Sequence, residues 1–200
     1  MKNYIIEEFT KTRNVFDLLI KDSNVHEQIL KASEICTKSL KQNGKIMFCG
    51  NGGSAADSQH LSAELVSKLS YDRPALNAIA LTTDTSAITA IGNDYGYLYS
   101  FSRQVEAIGN AGDVLIGIST SGKSKNVIEA IKSAKNKKIL TIGFLGKEGK
   151  DIGDLVDYQI NIPSIETPKI QEGHISVGHI LCGIIEDNFF GKTHNPNYKG

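Results

Sequence analysis

Between Ile5 and Leu40 the apolar residues return at helical spacing, most clearly at Val25, Ile29, Ala32, Cys36 and Leu40. Asp22, Ser23 and Asn24 interrupt that pattern with residues suited to capping a second helix. The spacing therefore predicts a helical hairpin over residues 1–43. Asn43 and Gly44 suit the end of a helix, and KIMFCG after them is a continuous apolar run of the kind a strand buried on both faces requires. From there the pattern alternates. GNGGS opens a helix to about Ser70, AIAL follows, and helical stretches begin at Asp84 and around Arg103 to Ile108. Then come VLIGIS, STSGKS with a helix to Lys137, ILTIGFLG, YQINI, and a last helix from about Ile170 to Phe190. Strands alternating with helices predict an α/β chain, a three-layer α-β-α sandwich around a parallel sheet. The hairpin belongs to the same domain as residues 44–200.

Composition narrows the function classes. The 22 Lys and Arg residues balance 22 Asp and Glu, so the basic excess expected of a nucleic-acid binder is missing. No apolar run approaches the roughly 20 residues that cross a bilayer. The opening MKNYIIEEFTKTRN has acidic residues where a signal peptide needs an unbroken apolar stretch, so a cytoplasmic protein is expected. Cys36, Cys49 and Cys182 are odd in number and lie in apolar contexts, which suits reduced, buried thiols. The 19 glycines matter more, because glycine gathers where backbone turns tightly or approaches a ligand.

In an open parallel sheet ligands sit beyond the carboxyl ends of the strands, which directs attention to the loops after KIMFC, AIAL and VLIGI. The first, GNGGS, presents backbone N–H groups at a helix N-terminus and suits an anion. Gly50, Gly52 and Ala55 also match a dinucleotide fingerprint, but its acidic partner is missing, since Asp72 comes too early and Asp84 too late. The later loop fits the phosphate-binding pattern of nucleotide hydrolases from Gly117 to Ser124, yet Gly117 and Ile118 fall inside the predicted strand and no later strand ends in a magnesium-binding Asp. What remains is a loop with four hydroxyls, Ser119, Thr120, Ser121 and Ser124, at a helix start, able to donate to one small phosphate.

His60 and Glu64 lie four apart on one helical face, a spacing that can hold a metal or set a base beside its partner, though surface pairs share it. The last helix adds Gln171, His174 and His179 to an apolar stripe. Gln171 and His179 are eight apart and diverge by about 80° on a helix of 3.6 residues per turn, so they converge only if Gln171 sits in a frayed first turn. His174 points elsewhere and is read as structural; His26 and His194 have no constellation around them.

Together these segments resemble the sugar isomerase (SIS) domain family, and within it the phosphoheptose isomerases. The resemblance runs through GNGGSAADSQHLSAEL, AIALTTDTSAITAIGNDYG, FSRQVEAIGNAGDVLIGISTSGKSKNVIEAI and TPKIQEGHISVGHILCGIIE, and covers nearly the whole chain. It implies a flavodoxin-like sheet and isomerisation of sedoheptulose 7-phosphate to D-glycero-D-manno-heptose 7-phosphate, the entry to nucleotide-activated heptose for lipopolysaccharide core or capsule. By the same resemblance Ser119, Thr120, Ser121 and Ser124 hold the phosphate, and Asn51, Gly52, Gly53, Asn93 and Asp94 line the sugar. His60, Glu64, Gln171 and His179 bind one zinc per subunit, with Glu64 and His179 also the acid/base pair; Glu64 and Gln171 also reach substrate. The family forms homotetramers with active sites between subunits, a use for the hairpin. The chemistry agrees: ketose–aldose exchange through an enediol needs a group to move the carbon proton and an acid or metal at the oxygens. Which of Glu64 and His179 takes the carbon proton stays open, with Glu64 favoured. A non-enzymatic SIS protein and an isomerase of another phosphosugar are the competing readings. The complete His60, Glu64, Gln171 and His179 set argues against the first.

Overall fold

The five apolar runs form one sheet. The structure, a computed structural model, describes residues 1–197, without the Lys150 side chain. The strands are β1 (Ile46–Gly50), β2 (Ala78–Ala80), β3 (Val114–Ser119), β4 (Leu140–Gly146) and β5 (Tyr158–Ile162), all parallel, in the order β2-β1-β3-β4-β5. The helices are α1 (Lys2–Lys21), α2 (Ser23–Lys41), α3 (Gly53–Val66), α4 (Thr85–Asp94), α5 (Ser102–Ile108), α6 (Lys125–Asn136), α7 (Lys150–Gly153) and α8 (Thr167–His194), with a 3-10 turn at Tyr97–Tyr99.

Alternation along the strands creates the layers. Val114, Ile116 and Ile118 face the core shared with α2, α3 and α8, while Leu115 faces the core shared with α5 and α6. β1 divides likewise, Ile46 and Phe48 to one side and Met47 and Cys49 to the other. This is the flavodoxin-like three-layer arrangement.

The hairpin forms as the spacing predicts. Asp22 accepts from the backbone N–H groups of Asn24 and Val25 and so caps α2. α2 buries nine residues, whereas α1 buries only Val15 and Leu19 and leaves Tyr4, Ile5, Ile6, Phe9, Leu18 and Ile20 exposed. Lys169 of α8 binds Glu8 and Thr12 of α1, which pins the hairpin to the last helix. All three cysteines are buried and unpaired, and burial pushes the Cys49 and Cys182 thiols up to about 12.

Two helix ends differ from the sequence pattern. α3 stops at Val66 rather than near Ser70, because the buried Arg73 guanidinium donates to the carbonyls of Glu64, Leu65 and Ser67. α8 begins at Thr167, with proline in its first turn, so Gln171 lies in regular helix rather than at a frayed end.

Candidate active site

β1 and β3 pair side by side, Gly50 opposite Ile118, so the GNGGS and STSGKS loops leave the sheet as neighbours. The chain turns from one half of the sheet to the other between these two strands, which is where such sheets open a crevice. Gly52 has φ +58, a left-handed conformation that side chains rarely adopt, and it turns the chain from β1 into α3. A Cβ on Gly53 would lie 2.2 Å from Nε2 of Gln171, so this glycine admits a side chain from α8 onto the start of α3.

Along α3, His60 and Glu64 share one face, and His179 comes to them from α8. His60 Nε2 lies 2.8 Å from His179 Nε2 and 3.1 Å from Glu64 Oε1, with the two rings edge to face at 5.0 Å. One ligand atom from each residue lies within 4.8 Å of the other two. His60 Nε2 thus faces a carboxylate oxygen and a second ring nitrogen, and no placement of a single proton on it serves both contacts. A shared cation satisfies all three. A tetrahedral zinc with bonds of about 2.0–2.2 Å spaces its donors by about 3.3–3.6 Å, so the two contacts of His60 Nε2, at 2.8 and 3.1 Å, lie a few tenths of an ångström short of that spacing. The donor set therefore fits a metal. Gln171, the fourth predicted ligand, does not meet the frayed-turn condition for converging with His179: it lies in regular helix, two turns before His179, and its side chain packs over Gly53 at the start of α3.

The second loop is built around its hydroxyls. Ser119 ends β3 buried, and its Oγ meets Ser124 Oγ at 2.8 Å. Ser124 is the N-cap of α6 yet makes no side-chain capping bond; the Val127 N–H goes to Asn126 Oδ1 instead, which leaves those of Lys125 and Asn126 at the loop. Ser121 Oγ accepts from the Lys123 N–H, and Gly122 takes φ +67 against the backbone of Gly149. Gly117 and Ile118 lie within β3, as the strand pattern requires, and β4 and β5 end in Gly146 and Ile162, not in carboxylates. Nucleotide hydrolysis has no magnesium residue here.

Asn93 and Asp94 close α4 in the open, joined by a 2.7 Å bond from Asn93 Nδ2 to Asp94 Oδ1. The link from this segment to the first loop is Tyr97, whose hydroxyl donates to Asn51 Oδ1 at 2.9 Å. Asn51 also pairs with the buried Asn126 of α6. Sequence reasoning missed Tyr97 and Asn126; an Asn at a helix start reads as capping, and a loop tyrosine carries no spacing signal. It also passed over Asp57, one turn before His60 on α3. Its carboxyl is half-buried and pushed up by that burial, with His60 opposing the shift. His174 sits buried beside Phe144, and burial holds its imidazole down to about 4, so it is a neutral core residue at pH 7.

Comparison with known proteins agrees with this geometry. A family model described as the SIS domain matches residues 11–146. A phosphoheptose isomerase of Burkholderia pseudomallei is 50% identical over 189 residues, covering 94% of this chain and 96% of the relative. The solved phosphoheptose isomerase of Neisseria gonorrhoeae superposes with a TM-score of 0.87 at 43% identity, covering 93% of this chain and 98% of that one. That of Francisella tularensis gives 0.88 at 33% identity, covering 92% and 97%.

Proposed function

This chain belongs to the SIS domain family, and on that footing we propose that it isomerises sedoheptulose 7-phosphate to D-glycero-D-manno-heptose 7-phosphate. The observation that carries the reading is the convergence of His60 Nε2, Glu64 Oε1 and His179 Nε2 beside a hydroxyl-rich loop at the open end of the sheet.

The phosphate docks on the loop of residues 119–124. Ser119, Thr120, Ser121 and Ser124 donate to its oxygens, and the N-terminus of α6 favours its charge. The sugar then extends toward GNGGS, where Asn51 and the backbone of Gly52 and Gly53 orient it, with Asn93 and Asp94 on the α4 side. His60, Glu64, His179 and Gln171 are the ligands of one zinc per subunit. A zinc held by these residues would supply Lewis-acid stabilisation of charge on the substrate oxygens. Glu64 moves the carbon proton, because its carboxylate can keep Oε1 in the cluster and offer Oε2 as base. His179 has only Nε2 in the cluster and serves the oxygens.

The same proposal includes the assembly. α4 buries none of its residues, and α1 exposes a row of large apolar side chains, which supports a homotetramer in which residues 1–43 assemble and residues 44–200 carry the site between subunits. Among the described residues no helix is long and apolar enough to cross a membrane. Unpaired cysteines suit a cytoplasmic setting, with the product feeding nucleotide-activated heptose for lipopolysaccharide core or capsule.

The test is metal-stripped protein incubated with sedoheptulose 7-phosphate, with and without zinc, following aldoheptose phosphate and the exchange of the transferred proton with solvent deuterium. Zinc-dependent product with exchange is expected. Product without zinc removes the metal from the proposal, and neither product nor exchange from folded protein removes the heptose substrate.

A further inference from the structure

Asn126 is nine-tenths buried at the second position of α6, between the two loops of the site, and its amide is completely committed. Its Oδ1 accepts from the backbone N–H of Val127 at 3.1 Å and from Asn51 Nδ2 at 2.8 Å. Its Nδ2 donates to Asn51 Oδ1 at 2.9 Å and to Ser100 Oγ at 3.2 Å. Two acceptor sites and two donors are the full capacity of a carboxamide, so Asn126 has nothing left to offer a ligand.

The consequence falls on Asn51. The Val127 N–H can only donate, which fixes the oxygen side of Asn126, and the reciprocal pair then fixes Asn51 with its nitrogen facing that oxygen. Asn51 Oδ1 is filled by Asn126 Nδ2 and the Tyr97 hydroxyl. Among the described residues its second N–H has no partner. Asn51 therefore faces the crevice as a donor and not as an acceptor.

We propose that Asn126 is a positioning residue: through its reciprocal amide pair it sets Asn51 as a hydrogen-bond donor to a substrate hydroxyl or carbonyl oxygen and ties the sugar loop to the start of the phosphate-loop helix. The proposal rests on the assignment of these loops to a phosphosugar, and deepens it by giving Asn51 a polarity.

Asn126→Asp is the sharpest test, because it keeps the size and both accepted bonds but turns an oxygen toward Asn51 Oδ1. A crystal structure of N126D needs no substrate; it is expected to show the Asn51 amide swung away with the loop of residues 119–124 in place, and an unmoved Asn51 overturns the proposal. In turnover of sedoheptulose 7-phosphate, N126D is expected to lose about tenfold in kcat/KM, the size of one neutral hydrogen bond. The cycle with Asn51→Ala separates positioning from general damage: N51A/N126A should equal N51A within about twofold, and additive losses overturn the proposal. Affinity for inorganic phosphate, measured on N126A so that no charge is added at the start of α6, should be unchanged, since a parallel loss there places the effect in the phosphate loop instead. If N126D does not fold, N126A carries the same structure, cycle and phosphate measurements. Failure of the wild type to turn over the heptose overturns the functional reading alone, and the crystal structure and phosphate affinity still decide the role of Asn126.

Discussion

Arg73 and Glu186 form an ion pair whose side chains are 0% and 1% exposed, and it joins the two helices that bring the His60, Glu64 and His179 triad together. Glu186 lies on α8 seven residues beyond His179. It accepts from Arg73 Nε at 2.9 Å and from the backbone N–H groups of Leu69 and Ser70 at 3.0 Å each. Arg73 in turn donates to the carbonyls of Glu64, Leu65, Ser67 and Pro74, so the end of α3 hangs on one guanidinium. Glu186→Ala strands that cation without its counter-charge and leaves two backbone donors unpaired. Breaking a buried pair on one side costs about 3–5 kcal/mol. At roughly 2–4 °C per kcal/mol for a domain of this size, a 4 kcal/mol loss lowers Tm by roughly 8–16 °C. The assay is urea and thermal unfolding of metal-free protein at fixed protomer concentration, so that neither zinc nor assembly shifts the midpoint. Replacing both partners, as Arg73→Met with Glu186→Leu, removes the stranded charge, and a positive coupling of about 2 kcal/mol is expected in the cycle. A Tm for E186A within a few degrees of wild type, or additive single losses, refutes the reasoning.

Three further outcomes are expected. Glu64→Gln keeps the shape of the cluster but removes the base, so turnover should fall about a hundredfold to ten-thousandfold while zinc stays bound, and near-normal turnover with zinc in place excludes Glu64 as the base. His174 has its folded-state pKa held down to about 4 from 6.5, so the unfolded chain takes up its proton first as the pH falls. Its contribution to stability is complete above about pH 6.5 and lost between there and pH 4, about 3 kcal/mol in all. Urea unfolding across that window should therefore be flatter for His174→Asn than for wild type, and parallel curves would count against a buried neutral imidazole. Phe9, 73% exposed on α1, should matter only between subunits: Phe9→Glu is expected to shift sedimentation to smaller species while protomer stability moves by about 0.5 kcal/mol or less, and unchanged sedimentation removes α1 from the interface.

How much of this was legible in the sequence depends on whether a feature is local. The central strands β1, β3 and β4 announced themselves because burial on both faces demands a continuous apolar run, whereas the edge strands β2 and β5 are partly exposed and left the shorter or mixed segments AIAL and YQINI. The i,i+4 spacing put His60 and Glu64 on one face, and the hydroxyl count of STSGKS marked a loop for phosphate. The early end of α3 at Val66 had no local sign, because its cap is Arg73, which arrives after the chain has turned back. The start of α8 did have one: Pro168 follows Thr167, and proline belongs in a first turn. Periodicity alone read the apolar stripe and not the proline, and so began the helix too late.

The site residues divide along the same line. Chemistry that depends on residue type and short spacing could be read, but polarity could not. That Asn51 is a donor follows from Val127, through Asn126, across the gap between β1 and β3, three residues whose relation exists only once the two strands pair. The triad itself is of this kind. His60 and Glu64 alone are an ordinary surface pair, and they become a candidate metal centre only when α8 brings His179 Nε2 to 2.8 Å from His60 Nε2. Arg73 and Glu186 hold α8 against α3 just beyond that point. Glu186 shares α8 with His179, and Arg73 holds the end of the α3 that carries His60 and Glu64, so loosening the ion pair is expected to weaken the candidate metal centre as well as the fold.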